Sequence, residues 1–93
     1  IYLDKLRVML NNIIMASVDK IIKSFYASKF GHTFEDCQKV LEYLGFEEKS
    51  SRGSHHKFVK AGLNRPFILA KHRPIDPAAI NEILEFVERS NDG

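Results

Sequence analysis

The chain has 93 residues, 44% of them apolar and 28% charged, which suits one compact domain with a modest core. A single cysteine, Cys37, excludes an internal disulfide, and no apolar run approaches the ~20 residues of a membrane span, so a cytoplasmic location is the default expectation. The net charge of +2 conceals a segregation: residues 52–75 hold six Lys/Arg, three His and no acid, which points to a face that meets a polyanion.

Taken in chain order, Leu3, Leu6, Leu10, Ile13, Val18, Ile21, Ile22 and Phe25 keep a roughly helical period and predict helix to about Ala27, closed by Gly31 and His32. The period fits one long helix or two, broken near Asn11-Asn12 or Ser17. Asp4, Lys5 and Arg7 interrupt the first stretch, so it is not the apolar core of a signal peptide. Residues 1–14 are not needed by the elements that follow, and their stripe is expected to mediate at least partial self-association. Residues 1–30 therefore read as a helical extension and 31–93 as a separate unit.

A second helix is expected over 34–44. Thr33 and Asp36 form its N-terminal cap, Phe34, Cys37, Val40, Leu41 and Leu44 make one apolar face, and Gly45 ends it. Cys37 on that face reads as a small core residue. Three short strands follow. The first opens at Phe46-Glu47-Glu48-Lys49, Ser50 to Gly53 turns, the second runs from His55 to Lys60, Gly62-Leu63-Asn64 turns again, and the third spans Pro66 to Lys71. Such short polar turns require antiparallel hairpins. The last helix starts at Asp76 as N-cap with Pro77 in its first position and buries Ile80, Ile83, Leu84 and Val87, with Phe86 beside them. Ser90 to Gly93 reads as a frayed tail. The fold class is α+β, an α-β-β-β-α core whose three-stranded antiparallel sheet is covered on one face and open on the other.

The residues Phe34-Glu35-Asp36-Cys37, Leu41-Glu42-Tyr43-Leu44-Gly45-Phe46 and Arg52-Gly53-Ser54-His55-His56-Lys57-Phe58 resemble the HicA family of toxins, over roughly residues 18–89. The most specific part is the Gly-Ser-His-His run between the first two strands. The resemblance implies a fold similar to a double-stranded-RNA-binding domain, ribonuclease activity on messenger RNA with His56 as the catalytic residue, and an antitoxin of the HicB type. The last helix departs from the family's often basic one, since Glu82, Glu85 and Glu88 make it acidic. Residues 1–14 precede the family's usual start, and Met15 is a candidate initiator.

The residue types suit that chemistry. RNA carries its own nucleophile in the 2′-hydroxyl, so cleavage needs a proton acceptor, a proton donor for the leaving 5′-oxygen and positive charge near the phosphorus. A histidine can perform either proton transfer near neutral pH, and Lys or Arg can stabilise the developing charge. The candidate substrate contacts are Arg52, Gly53, Ser54, His55, Lys57, Lys71, His72 and Arg73, with no cofactor and no metal. Adjacent strand histidines point to opposite faces and do not readily share one ion with His72 or Cys37. His72 is either the second proton-transfer group or a loop residue, and His32 reads as a helix-boundary residue. Phe46, Phe58 and Phe67 are expected in the core.

Strand alternation leaves a conflict. It groups His56 with Phe58, and His55 with Lys57. If Phe58 faces the core, His55 and Lys57 face the open side, whereas the resemblance selects His56. Two further readings of the basic face remain: a non-catalytic RNA-binding module, and a protein-interaction domain that receives an acidic partner.

Overall fold

The computed structural model describes residues 2–92, and Ile1 and Gly93 lie outside the described residues. The elements run α1 (Tyr2–Ala27), α2 (Phe34–Tyr43), β1 (Glu47–Arg52), β2 (His55–Val59), β3 (Phe67–Ala70) and α3 (Pro77–Asp92). The sheet is antiparallel with strand order β1-β2-β3. This is α+β architecture, the α-β-β-β-α arrangement of a small double-stranded-RNA-binding-domain-like unit preceded by one further helix.

α1 is a single helix of 26 residues, about 39 Å long at 1.5 Å per residue. Asn11, Asn12 and Ser17 are weak helix formers but carry neither the freedom of glycine nor the ring of proline, so they do not break it. Its apolar positions divide along its length. Val18 and Phe25 are buried in the core, whereas Leu6, Val8, Met9, Leu10 and Ile13 stay exposed. The helix ends in a polar knot: Lys29 Nζ donates to the Phe25 carbonyl at 3.2 Å, and His32 Nε2 lies 2.6 Å from the Ser28 carbonyl. Gly31 adopts φ +80° just beyond it.

α2 is defined at both ends by its own sequence. The Thr33 hydroxyl accepts from the Asp36 N–H at 3.2 Å. At the other end the Phe46 N–H donates to the Leu41 carbonyl and the Gly45 N–H to the Glu42 carbonyl, both at 3.0 Å, with Gly45 at φ +100°. That pair of bonds is the Schellman motif, which needs a left-handed residue at the glycine position. α2 buries Phe34, Cys37, Val40 and Leu41. Burial, with the Asp36 carboxylate close by, pushes the Cys37 thiol up from 9.0 to about 12, so it is a neutral core residue.

Two boundaries differ from the sequence reading by more than one residue. Ser50 to Arg52 belongs to β1, and the turn contains only Gly53 and Ser54, because Arg52 pairs with His55 across it. α3 continues through Asp92 where a frayed tail was expected, since nothing from Ser90 to Asp92 interrupts a helix. Asp76 does cap α3, its Oδ1 accepting from the Ala78 N–H at 2.9 Å. α2 and α3 lie on one face of the sheet, where Phe34 meets Phe58 and Phe86 meets Phe46 and Phe67, and α1 packs against both helices. The apolar core so formed includes Phe46, Phe58, Phe67, Leu69, Ile75, Ile80 and Ile83. Among the described residues, none of the buried ones is polar or charged. Among the described residues, no helix is long and apolar enough to cross a membrane.

Candidate active site

The hairpin between β1 and β2 positions the histidine pair. Of its two central residues only Gly53 has positive φ, at +60°, the pattern of a type II′ turn with glycine in first place. The Ser54 carbonyl accepts from the Lys71 N–H at 2.7 Å. This bond ties the turn to the end of β3, so the Gly-Ser-His-His run and the Lys71-His72-Arg73 run form one neighbourhood.

From the turn, β2 alternates. Phe58 is fully buried, so His56 lies on the helix-covered face and His55 and Lys57 on the open face. His56 sits at the edge of the covered face. Its ring centroid is 4.6 Å from that of Phe34, and its Nδ1 is 2.9 Å from Glu48 Oε2, with side-chain exposures of 16% for His56 and 28% for Glu48. The imidazole is therefore held between an aromatic ring and a carboxylate and is still reached by solvent. Phe34 carries a second group: Lys71 Nζ stands 5.1 Å from its centroid and 3.8 Å from Glu35 Oε2.

Beside Phe34 opens a cleft of about 510 Å³, lined by Gly31 to Glu35 on one side and Lys71, His72, Arg73 and Pro74 on the other. The candidate residues thus fall into two groups. His56 and Lys71 meet at the Phe34 ring, and Lys71, His72 and Arg73 line the cleft beside it. Arg52, His55 and Lys57 share the open face of the sheet with Ser50 and the half-exposed Ile68. Gly53 and Ser54 join the two at the turn. His32 belongs to neither group chemically: its ring packs edge-on against Phe25 at 4.6 Å and its Nε2 is engaged with the Ser28 carbonyl.

Glu48 is the site residue that sequence reasoning missed. A regular ladder from the Gly53-Ser54 turn would place it on the open face, away from His56. A β-bulge between Glu48 and Ser50 reverses that placement. The available signal was the buried Phe46, which also needs the inner face two residues earlier.

A family model described as the HicA toxin of bacterial toxin-antitoxin systems matches residues 34–87, from the start of α2 into the last turns of α3. The chain belongs to the HicA toxin family. The match contains the Gly-Ser-His-His run, Lys71, His72 and Arg73, while α1 lies ahead of it. Neither the curated proteins nor the solved structures searched gave a match.

Proposed function

We propose that this HicA-family chain is an endoribonuclease that cleaves messenger RNA without a metal, uses His56 for proton transfer, and is neutralised by a HicB-type antitoxin. The observation that carries this reading is the setting of His56: a solvent-reached imidazole seated on Phe34 with one ring nitrogen 2.9 Å from a carboxylate, beside the Lys71-His72-Arg73 run. In the reaction, His56 takes the proton of the 2′-hydroxyl as that oxygen attacks the adjacent phosphorus. The bond from phosphorus to the 5′-oxygen breaks, and a second group, for which His72 is the candidate, protonates the leaving oxygen. The products are a 2′,3′-cyclic phosphate and a 5′-hydroxyl. Lys71 and Arg73 supply positive charge to the phosphorane. Gly53 and Ser54 let backbone approach the strand, and Arg52, His55 and Lys57 hold RNA that crosses the turn onto the open face.

In this reading residues 1–30 are a helical extension whose C-terminal half docks on the HicA-like unit over 31–93, and its exposed N-terminal stripe is the contact for self-association. The protein acts in the cytoplasm, where messenger RNA and the antitoxin are met. The test is incubation of the purified chain with a long RNA in a chelating buffer, followed by chemical identification of the new ends. Cyclic-phosphate and 5′-hydroxyl ends support the mechanism, and 3′-hydroxyl ends contradict it. A second reading, a non-catalytic RNA-binding module, is favoured by one observation: the basic open face, with Arg52, His55 and Lys57, lies on the other side of the sheet from His56. RNA binding without any cleavage by the wild-type chain would select it.

A further inference from the structure

We infer that Glu48 is a positioning residue for His56, delivered to it by the β-bulge at Lys49; the inference rests on the reading of His56 as a proton-transfer group. The registration of β1 on β2 pairs Arg52 with His55, Ser51 with His56 and Ser50 with Lys57. An uninterrupted ladder would continue with Lys49 opposite Phe58 and Glu48 opposite Val59, which places Glu48 on the open face. Instead Glu48 pairs with Phe58 and Glu47 with Val59, and Lys49 is the extra residue. One inserted residue exchanges the faces of everything before it in β1. Phe46 thereby enters the core at 3% exposure, and Glu48 reaches the face of His56. Lys49 leans back along its own strand, its Nζ 2.9 Å from Glu47 Oε2. Burial of Phe46 explains a bulge somewhere in this strand; it does not explain a carboxylate two residues later, aimed at the histidine.

The chemistry of the pair assigns the proton. A carboxylate only accepts, so a neutral His56 in this contact carries its hydrogen on Nδ1 and leaves its lone pair on Nε2. Phe34, its ring tilted 49° to the imidazole with centroids 4.6 Å apart, restricts rotation of the imidazole. Glu48 and Phe34 together thus fix both which nitrogen is basic and where it points. When Nε2 accepts the 2′-hydroxyl proton, both ring nitrogens carry hydrogen, and the positive charge of the imidazolium faces the Glu48 carboxylate. Transfer of that proton onward restores the starting tautomer, with Nδ1–H still donating to Glu48.

Two readouts on the full chain test this, one independent of cleavage. In ¹⁵N-labelled protein at a pH where His56 is neutral, the ring nitrogens of His56 should report hydrogen on Nδ1, and Glu48→Ala should move it to Nε2 or to a tautomer mixture. In RNA cleavage, Glu48→Ala should lower kcat by about 10–100-fold with KM within about twofold, and Glu48→Asp should recover part of the loss. Hydrogen on Nε2 in the wild type overturns the inference whatever the activity. A tautomer change with unaltered kcat overturns the positioning role. If the wild type binds RNA and never cuts it, the ribonuclease reading fails, while the ring-nitrogen measurement still decides whether Glu48 sets the state of His56.

Discussion

Phe34 joins the core to the candidate site, and two substitutions there separate packing from positioning. The side chain is 6% exposed, and its ring lies 4.6 Å from His56, 6.3 Å from Phe58 and 5.1 Å from Lys71 Nζ. Phe34→Ala removes the ring and leaves a void at the rim of the core, at a cost of about 3 kcal/mol, the low end for such truncations. With an unfolding entropy of about 2.1 cal/mol/K per residue, the 93-residue chain should lose about 15 °C in Tm. Phe34→Leu keeps most of the burial and should cost about 1 kcal/mol, or about 5 °C. It nevertheless removes the aromatic contact to His56, worth about 0.5–1.5 kcal/mol, and the cation–π contact to Lys71, worth about 0.5–1 kcal/mol. If those contacts hold the two groups in the reactive arrangement, cleavage by the leucine variant should fall about tenfold, since each 1.4 kcal/mol is a factor of ten in rate. Thermal melts followed by circular dichroism give the first pair of numbers, and initial rates on a long RNA at 25 °C give the second. A leucine variant that melts within a few degrees of wild type and cleaves at the wild-type rate would refute the role of Phe34 as a seat for His56. An alanine variant within 1 kcal/mol of wild type would refute its place in the core.

RNA affinity should fall steeply with salt through counterion release, and charge reversal at Lys57, Lys71 or Arg73 should weaken binding more than reversal at Lys20 or at Lys23, which is already paired with Asp19 at 3.0 Å; equal losses in a titration at fixed salt would contradict the placement of the interface. Gly53→Val should cost at least about 1–2 kcal/mol in urea unfolding, because a φ of +60° strains a β-branched residue; an unchanged midpoint would remove the turn from the account. The folded Cys37 thiol holds its proton to about pH 12 against an ordinary value of 9.0, so the native state binds more protons between those limits and stability should decline as pH rises from about 9 to about 12. Cys37→Ser should flatten that part of the pH–stability curve, and an identical slope in the variant would show another group to be responsible. In complex with an antitoxin, Arg52, Lys57 and Arg73 should gain protection in hydrogen exchange, and protection confined to residues 1–30 would replace occlusion of the basic face by an effect transmitted from α1.

The parts of the fold legible in the sequence were those with local chemical causes. Thr33 and Gly45 bracket α2, Asp76 starts α3, and the heptad-like spacing of Ile80, Ile83, Leu84 and Val87 marks its buried face. The first hairpin was less legible. Ser50 and Ser51 resemble turn residues, and only the pairing of Arg52 with His55 places them in β1. The bulge at Lys49 has no composition of its own, and it is a property of two strands in register. Glu48 therefore read as one more acid on an exposed strand, although it meets His56 at 2.9 Å. The same limit applied to His55 and His56. Alternation correctly put them on opposite faces, yet it could not show that the covered face remains open at its rim, where Phe34 seats His56 beside a cleft.

The most direct test of the account compares His56→Ala and His55→Ala with wild type on a long RNA, in chelating buffer, after circular dichroism has confirmed native folding of each. The His56 variant should lose at least about 10²-fold in cleavage while still binding RNA, and the His55 variant should lose affinity with its cleavage rate at saturation largely kept. An active His56 variant beside a dead His55 variant would contradict the account, and would move the reaction to the open face of the sheet.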